Sequence, residues 1–203
     1  MSERVGKRAW QRMLSGRRLD IVDPSPLDVE IGDIAHGLAR VARWNGQTRG
    51  PEIFSVAQHA LLVEALFSAA EPAPGPRDRL AALLHDGPEY VIGDLISPFK
   101  AAVGGDYRRI ETRLMRAIHI RFGLTADLAP ELAKRIKSAD RGSAFLEATV
   151  LAGFSESEAR KLFGEAPPSA RRFVAYLEPM RPVEAEERFL ARFAELDAAV
   201  LKP

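Results

Sequence analysis

The sequence contains no cysteine among its 203 residues. This absence excludes a disulfide framework, a thiol nucleophile and any zinc or iron–sulfur site held by cysteine. Long apolar runs are also missing, and none of the hydrophobic stretches is long enough to span a bilayer. Strand-like alternation is scarce as well. With 46% hydrophobic and 28% charged residues, the chain is expected to fold as one globular, mainly helical domain.

The chain carries almost no net charge. Its 29 Lys and Arg residues face 28 Asp and Glu residues, which gives a formal net charge of +1. Proteins that bind the phosphate backbone need a clear basic excess, so nucleic acid is disfavoured as the main partner. The basic N-terminal stretch is not followed by the apolar segment of a secretory signal. We therefore expect a cytoplasmic protein with no membrane partner.

Apolar residues recur at helical spacing along most of the chain, with proline and glycine between the periodic segments. This pattern predicts an all-α fold in a single domain, 1–203. Its core is expected at about 31–151, with an irregular arm before it and a helical extension after it. The predicted helices span 31–44, 56–70, 77–85, 106–122, 128–151 and 183–201, with a loop over 94–100 and no assignment for 164–182.

One of the four histidines, His85, is followed directly by Asp86 and preceded by an apolar stretch. A buried, ionised aspartate needs a positive partner. Imidazole and carboxylate together suit Mn, Co, Fe, Ni or Zn better than calcium. Taken alone, the pair is a weak signal, because it also fits a structural ion pair in a helical interaction protein. His36 and His119 stand alone on predicted helices and are expected to be packed residues rather than ligands.

The order of histidine and aspartate residues resembles that of a known family. Gln58-His59, Leu83 to Asp86 and Ser138 to Asp140 give the series H…HD…D of the HD-domain metal-dependent phosphohydrolases. The run from His85 to Lys100 is similar to HD-x-x-E-x-x-x-G-D-L-x-x-P-x-K, a signature of the 5′-deoxynucleotidase branch. Arg43-Trp44 resembles the pair that this branch places before its first ligand. The resemblance covers about 34–147, and Gln58 departs from it where glutamate is frequent.

The resemblance implies an enzyme that binds one divalent transition metal, with Co, Mn, Zn, Fe and Ni as the candidates. Water activated by this metal would release phosphate from deoxyribonucleoside 5′-monophosphates. The implied metal ligands are His59, His85, Asp86 and Asp140.

Five further residues acquire roles from the same resemblance. Glu89 and Asp94 become catalytic residues, and Arg43, Trp44 and Lys100 become substrate-binding residues. Without the resemblance, Glu89 would be interpreted as a helix cap, Asp94 as a turn residue and Lys100 as a solvated lysine. Trp44 fits a core position as well as a ligand contact.

Other functions remain open at this point. The polar segment 45–51 resembles a subgroup that includes phage enzymes removing triphosphate from deoxyadenosine triphosphate, with Arg43, Arg49 and Lys100 as candidate phosphate ligands. A non-catalytic nucleotide-sensing module would also keep the HD scaffold. The family commonly dimerises, which implies a possible homodimer, and an apolar stripe near the C-terminus is either a core face or a dimer surface: Phe189, Leu190, Phe193 and Leu196.

Overall fold

Helices dominate the computed structural model, which describes residues 9–96, 99–100, 102, 104–165 and 170–201. These helices pack around a main apolar cluster and a second, smaller one, which confirms the predicted all-α fold. The α-helices with both ends among the described residues are α1 (Ile31–Leu38), α2 (Val56–Ser68), α3 (Pro76–Leu83), α4 (Glu89–Ile92), α5 (Gly105–Arg121), α6 (Pro130–Val150), α7 (Glu156–Phe163) and α8 (Pro182–Val200). Short 3₁₀ helices span Pro26–Asp28, Arg43–Gly46 and Ala170–Leu177.

Helix α2 lies at the centre of the molecule and packs against α3, α6 and α8. It begins at a regular N-cap, where the Ser55 hydroxyl accepts a hydrogen bond from the Gln58 backbone N–H. A helix enclosed on several sides carries apolar residues on nearly every face. The polar residues Gln58, His59 and Glu64 of α2 are also buried. Buried polar groups require hydrogen-bond partners. The polar side chains of α2 must therefore find their partners on neighbouring segments of the chain.

The first predicted helix ends early, at Leu38 instead of residue 44. Arg43 donates its backbone N–H to Phe54 O across 2.8 Å, and the Val56 N–H donates to Val41 O across 3.0 Å. These bonds join the chain to the segment before α2, and Trp44 adopts φ 56°, which is incompatible with a continuing helix. The prediction for this stretch is therefore wrong, because distant backbone partners replace the helical ones.

The N-terminal arm contains regular structure that the sequence pattern did not reveal. Strand β1 (Trp10–Arg12) pairs antiparallel with β2 (Arg18–Asp20). Leu19 of β2 is fully buried and belongs to the main apolar cluster. The expectation of an irregular arm is wrong for this hairpin, whose three-residue strands are too short to show alternation.

The C-terminal helix was predicted at nearly its observed bounds. Phe189, Phe193 and Leu196 are buried in the main apolar cluster, and Leu190 packs against it half-buried. The stripe is therefore a core face and cannot serve as the dimer surface, and the homodimer stays a prediction. None of the described helices combines the length and apolarity that a membrane span requires.

The predicted loop over 94–100 is confirmed only in part. Asp94 to Ile96 are not helical, whereas Phe99 and Lys100 are. Ser97 and Pro98 lie outside the described residues. In the unassigned stretch 164–182, a 3₁₀ helix occupies Ala170–Leu177.

Candidate metal centre

Three helices bring the four predicted ligands to one place. His59 lies in the first turn of α2, Asp140 lies in the middle of α6, and His85-Asp86 follow the end of α3. The chain turns sharply after Asp86, where the Gly87 N–H donates to Leu84 O across 2.8 Å. A Cβ at Gly87 would lie 3.0 Å from Leu84 O and 3.1 Å from Ile118 Cδ1, so glycine permits this close packing.

The ligand atoms of these residues converge, and His59, His85, Asp86 and Asp140 are called the His/Asp group below. His59 Nε2 lies 3.2 Å from His85 Nε2 and 3.3 Å from both Asp86 Oδ2 and Asp140 Oδ1. His85 Nε2 lies 3.2 Å from Asp86 Oδ2. The donor atoms of His59, His85 and Asp140 all fall within 4.8 Å of one another. The residues of the H…HD…D series, which are far apart in the sequence, therefore lie together in space.

The two imidazoles turn their lone pairs toward the same point. His59 Nδ1 lies 2.6 Å from Glu147 Oε1, and His85 Nδ1 lies 2.9 Å from Ala82 O. Carboxylate and carbonyl oxygens only accept, so each Nδ1 carries the proton and each Nε2 becomes the acceptor in a neutral ring. Two such nitrogens beside two carboxylates form an all-acceptor set that a cation satisfies. Nitrogen and oxygen donors in this combination suit a divalent transition metal.

The charges of the group also favour a cation. Burial raises the pKa of Asp86, but His85 and His59 outweigh burial and hold this pKa well below its usual value. For His59, burial and Arg43 lower the pKa, whereas Glu147, Asp140 and Asp86 raise it, and the net result lies above the usual value. The carboxylates thus stay ionised and favour a second proton, on His59 Nε2, which a divalent cation would displace on binding.

Glu147 orients His59 from the far side of the ring. Its Oε1 also accepts from the Ser143 hydroxyl across 2.7 Å, and its Oε2 accepts from Trp44 Nε1 across 2.9 Å and from Arg43 Nε across 3.3 Å. Burial raises the pKa of Glu147, but His59 and Arg43 outweigh it and lower the pKa to about 2. Carboxylates behind a metal-binding histidine commonly fix its orientation.

Sequence analysis missed both Glu147 and Ser143. They follow Asp140 by seven and three residues, so all three share one face of α6. That spacing was the available signal. Gln58, by contrast, does not contact His59 through its side chain: its amide donates to Glu178 O and accepts from the Met180 N–H, and so anchors the C-terminal segment.

The predicted substrate-binding pair supports this carboxylate instead of lining the cavity described below. Arg43 is largely buried, and its Nη1 donates to Asp94 Oδ2 across 3.0 Å. The Trp44 ring packs against Phe154 and Phe163, with centroid distances of 5.6 and 5.8 Å. Phosphate binding by Arg43 and ligand contact by Trp44 stay predictions, since the observed polar contacts of their side chains are to carboxylates.

Glu89 is a buried acid with one free oxygen. Its Oε1 accepts from Lys100 Nζ across 3.1 Å, whereas Oε2 has no hydrogen-bond partner within the described part of the chain. Burial, together with Asp86 and Asp94, raises the pKa of Glu89 to about 9, although Lys100 and Arg43 act in the opposite direction. Lys100 also reaches Glu111 Oε1 at 3.4 Å.

A cavity of about 450 Å³ opens beside the His/Asp group. This volume falls in the range of small-molecule sites. Helix α5, helix α6 and the turn between them form most of its wall, and His85, Asp86, Asp140 and Glu89 face it. The remaining polar wall consists of Glu111, Thr112, Arg116, His119, Asp127 and Lys137.

No protein-family model matches the chain. It is 58% identical over 187 residues to an uncharacterized protein of Rhodobacter capsulatus, and the alignment covers 92% of this chain and 94% of that protein. The chain belongs to the family of this Rhodobacter protein. Since the relative is itself uncharacterized, membership of this family assigns no activity.

In this member of the Rhodobacter protein's family, only some of the predicted site residues lie at the cavity. The four predicted ligands meet in space, and three of them line the cavity together with Glu89, whereas His59 lies buried behind them. Arg43, Trp44 and Asp94 form a layer behind His59, and Lys100 reaches the site through Glu89. Lys137 was not predicted, although its Nζ lies 2.6 Å from Asp140 Oδ2.

Proposed function

We propose that this chain is a metal-dependent phosphohydrolase of the HD-domain type, which releases phosphate from deoxyribonucleoside 5′-monophosphates. The observation that carries the proposal is the convergence of four cation-binding side chains, three of which line a cavity of small-molecule size. Beside them lies a buried carboxyl group with one oxygen that has no partner among the described residues. The similarity to the deoxynucleotidase signature supplies the substrate class. The proposal keeps the cytoplasmic location that the sequence predicts.

His59, His85, Asp86 and Asp140 would hold one divalent cation, which stabilises charge on phosphoryl oxygens and activates water. Their protein contacts set the geometry in advance. Glu147 and Ala82 hold the two imidazole rings in the orientation that presents Nε2. The rings would therefore need little reorientation when the cation binds.

Glu89 would receive a proton from water in its ionised form, which a divalent cation held by Asp86 would favour by offsetting the negative charge that raises the Glu89 pKa. Its Oε2 is buried and unpartnered among the described residues, and its carboxylate lies on the cavity wall with Asp86. Lys100 holds Oε1 and so directs the other oxygen. A positioned general base of this kind contributes about 10²-fold or more to turnover.

The basic side chains around the cavity favour a monophosphate over a triphosphate as substrate. Lys137 lines the cavity and is largely exposed, so it is free to turn from Asp140 toward a phosphate group. Arg116 is held by Asp127 at 2.8 Å. Arg49, which a triphosphate enzyme would recruit, is exposed and is not among the lining residues.

The proposal is tested with protein stripped of metal and reloaded with single divalent ions. We expect phosphate release from deoxyribonucleoside monophosphates, slower release from ribonucleoside monophosphates, and loss of activity with chelator. Tripolyphosphate released from deoxynucleoside triphosphates would instead indicate the triphosphohydrolase. No turnover of any nucleotide with any metal would contradict the enzyme assignment and favour a nucleotide-sensing module.

The role of Glu89 is tested by Glu89→Gln, with Glu111→Gln as the matched control. Both acids contact Lys100, but only Glu89 has a buried free oxygen. We expect Glu89→Gln to keep its metal and lose about 10²-fold or more in kcat, while Glu111→Gln stays within about tenfold. Full activity of Glu89→Gln would remove this residue from the mechanism.

A further inference from the structure

His119 is a buried histidine on the cavity wall with one ring nitrogen unused. Only 3% of its surface is exposed, and its Nδ1 lies 3.1 Å from Ala126 O. Nε2 is buried and has no hydrogen-bond partner in the described portions of the chain. An unpartnered polar atom at such a position is uncommon in folded proteins and calls for an explanation.

The protonation state of His119 follows from its contacts. The Ala126 carbonyl only accepts, so Nδ1 carries the proton. Burial lowers the pKa of His119, although the backbone at Ala126 and Thr125 and the charge of Asp127 raise it in part. The ring is therefore neutral at neutral pH, and Nε2 presents a bare lone pair. Asp127 pairs with Arg116 and not with this nitrogen.

The cavity extends from the His/Asp group along α6 to the turn against which His119 packs. On α6 the lined positions run from Asp140 back to Ala133, about 10 Å along the helix axis at 1.5 Å per residue. The turn from α5 to α6 brings Ala126 against His119. Here the cavity has apolar walls contributed by Met115, Ala126, Leu128, Ala133 and Ile136.

We propose that His119 is a specificity-determining residue, whose Nε2 accepts a hydrogen bond from an N–H group on the substrate's nucleobase. The inference rests on the proposed function, which places the phosphate at the His/Asp group. A cavity region with several apolar wall residues and the buried acceptor of His119 suits a flat heterocycle that carries a matching donor. A base without that donor would leave Nε2 unpaired, which is how sites built around hydrogen bonds reject analogues.

The test measures binding of two phosphonate analogues, in which a methylene group replaces the 5′-oxygen so that no phosphate is released. One carries adenine, and the other carries unsubstituted purine, which lacks the exocyclic amino group. Titration calorimetry with metal-loaded protein is expected to show about tenfold tighter binding of the adenine analogue. The ¹⁵N resonance of His119 Nε2 should shift with the adenine analogue and not with the purine analogue.

Two variants separate the role of His119 from general effects. His119→Phe keeps a flat ring but removes the acceptor, and the ratio of the two affinities should fall to about one. His36→Phe is the matched control, because His36 makes its contact with Glu186 on the surface; this variant should keep the wild-type ratio. Thermal melts report whether each variant is folded. If His119→Phe does not fold, the ratio of affinities and the nitrogen shift of the wild-type protein still test the hydrogen bond to His119.

The outcomes distinguish this inference from the proposed function. Equal affinities in the wild type, an unchanged ratio in His119→Phe or no binding of either analogue would overturn the inference. If deoxynucleotides are hydrolysed but the ratio is one, only the inference fails. If the ratio depends on His119 but no nucleotide is hydrolysed, the inference stands and the hydrolase proposal fails.

Discussion

Glu147 Oε1 lies 2.6 Å from His59 Nδ1, although the two residues are 88 positions apart in the chain. Both side chains are fully buried. The contact turns His59 Nε2 toward His85, Asp86 and Asp140, so the buried carboxylate determines which nitrogen is available to a metal.

Glu147→Gln should weaken metal binding without removing a ligand. The amide keeps the size of the carboxylate but loses the charge that holds the Nδ1 proton. We expect a loss of about 10- to 100-fold in metal affinity, the usual effect of such supporting groups. Competition with a chelator of known affinity measures it. Glu131→Gln is the control, because it makes the same change at an exposed position of α6; equal affinities in the two variants would contradict the orienting role.

Gly37→Ala should destabilise the packing that holds α4 and its first residue, Glu89. A Cβ at Gly37 would lie 2.8 Å from Tyr90 Cβ and 2.9 Å from Tyr90 O, so α1 and α4 would have to separate. Overpacking of this kind costs about 1–3 kcal/mol in the free energy of unfolding. Gly32→Ala on the same helix meets nothing within 4 Å and should be neutral or stabilising. Urea denaturation of both variants checks the difference, and equal midpoints would contradict it.

Glu64 should make the fold sensitive to acid. Its carboxylate accepts from Arg79 Nε and Arg192 Nε, each across 2.9 Å. Burial raises the pKa of Glu64, but Arg192, Ser68 and Arg79 outweigh burial, so the folded-state pKa lies below the usual 4.5. A lowered pKa stabilises the folded state above the unfolded-state pKa, and this contribution disappears as the pH falls through the folded-state pKa.

Glu64→Gln tests this linkage. Relative to wild type, the variant should lose roughly 1–3 kcal/mol of unfolding free energy at pH 7. The difference should shrink as the pH falls below about 4.5, where the unfolded chain begins to bind the proton, and should disappear below the lower folded-state pKa. Denaturation midpoints measured across pH 3 to 7 provide the check. A difference that does not change with pH would show that packing, rather than charge, accounts for the loss.

The sequence order predicted which four side chains would meet in space, because their order and local context are properties of the chain itself. His85-Asp86 precede a Gly-Pro break, and that break leaves both side chains at the end of α3. The supporting acid Glu147 was not predicted, because a glutamate in a helix is ordinary until its partner His59 is known. His119 was expected to be merely packed, since no sequence pattern shows that one of its nitrogens lacks a partner among the described residues.

Local pattern also failed where distant backbone contacts decide the structure. The stretch after Leu38 has helical periodicity, yet the Arg43 N–H bonds to Phe54 O and the chain leaves the helix. Trp44 then adopts a left-handed conformation at φ 56°. Such a backbone costs of order 1–3 kcal/mol and persists only when its surroundings hold it; here the indole N–H donates to Glu147.

The central claim is that the His/Asp group holds one divalent cation, and elemental analysis tests it most directly. Wild-type protein reloaded with metal should contain about one equivalent per chain, and Asp86→Ala should contain well below one. Asp127→Ala is the control, because it removes an exposed aspartate from the same cavity without touching the group. It should keep the wild-type content. Unchanged metal content in Asp86→Ala, or no bound metal in the reloaded wild type, would contradict the assignment.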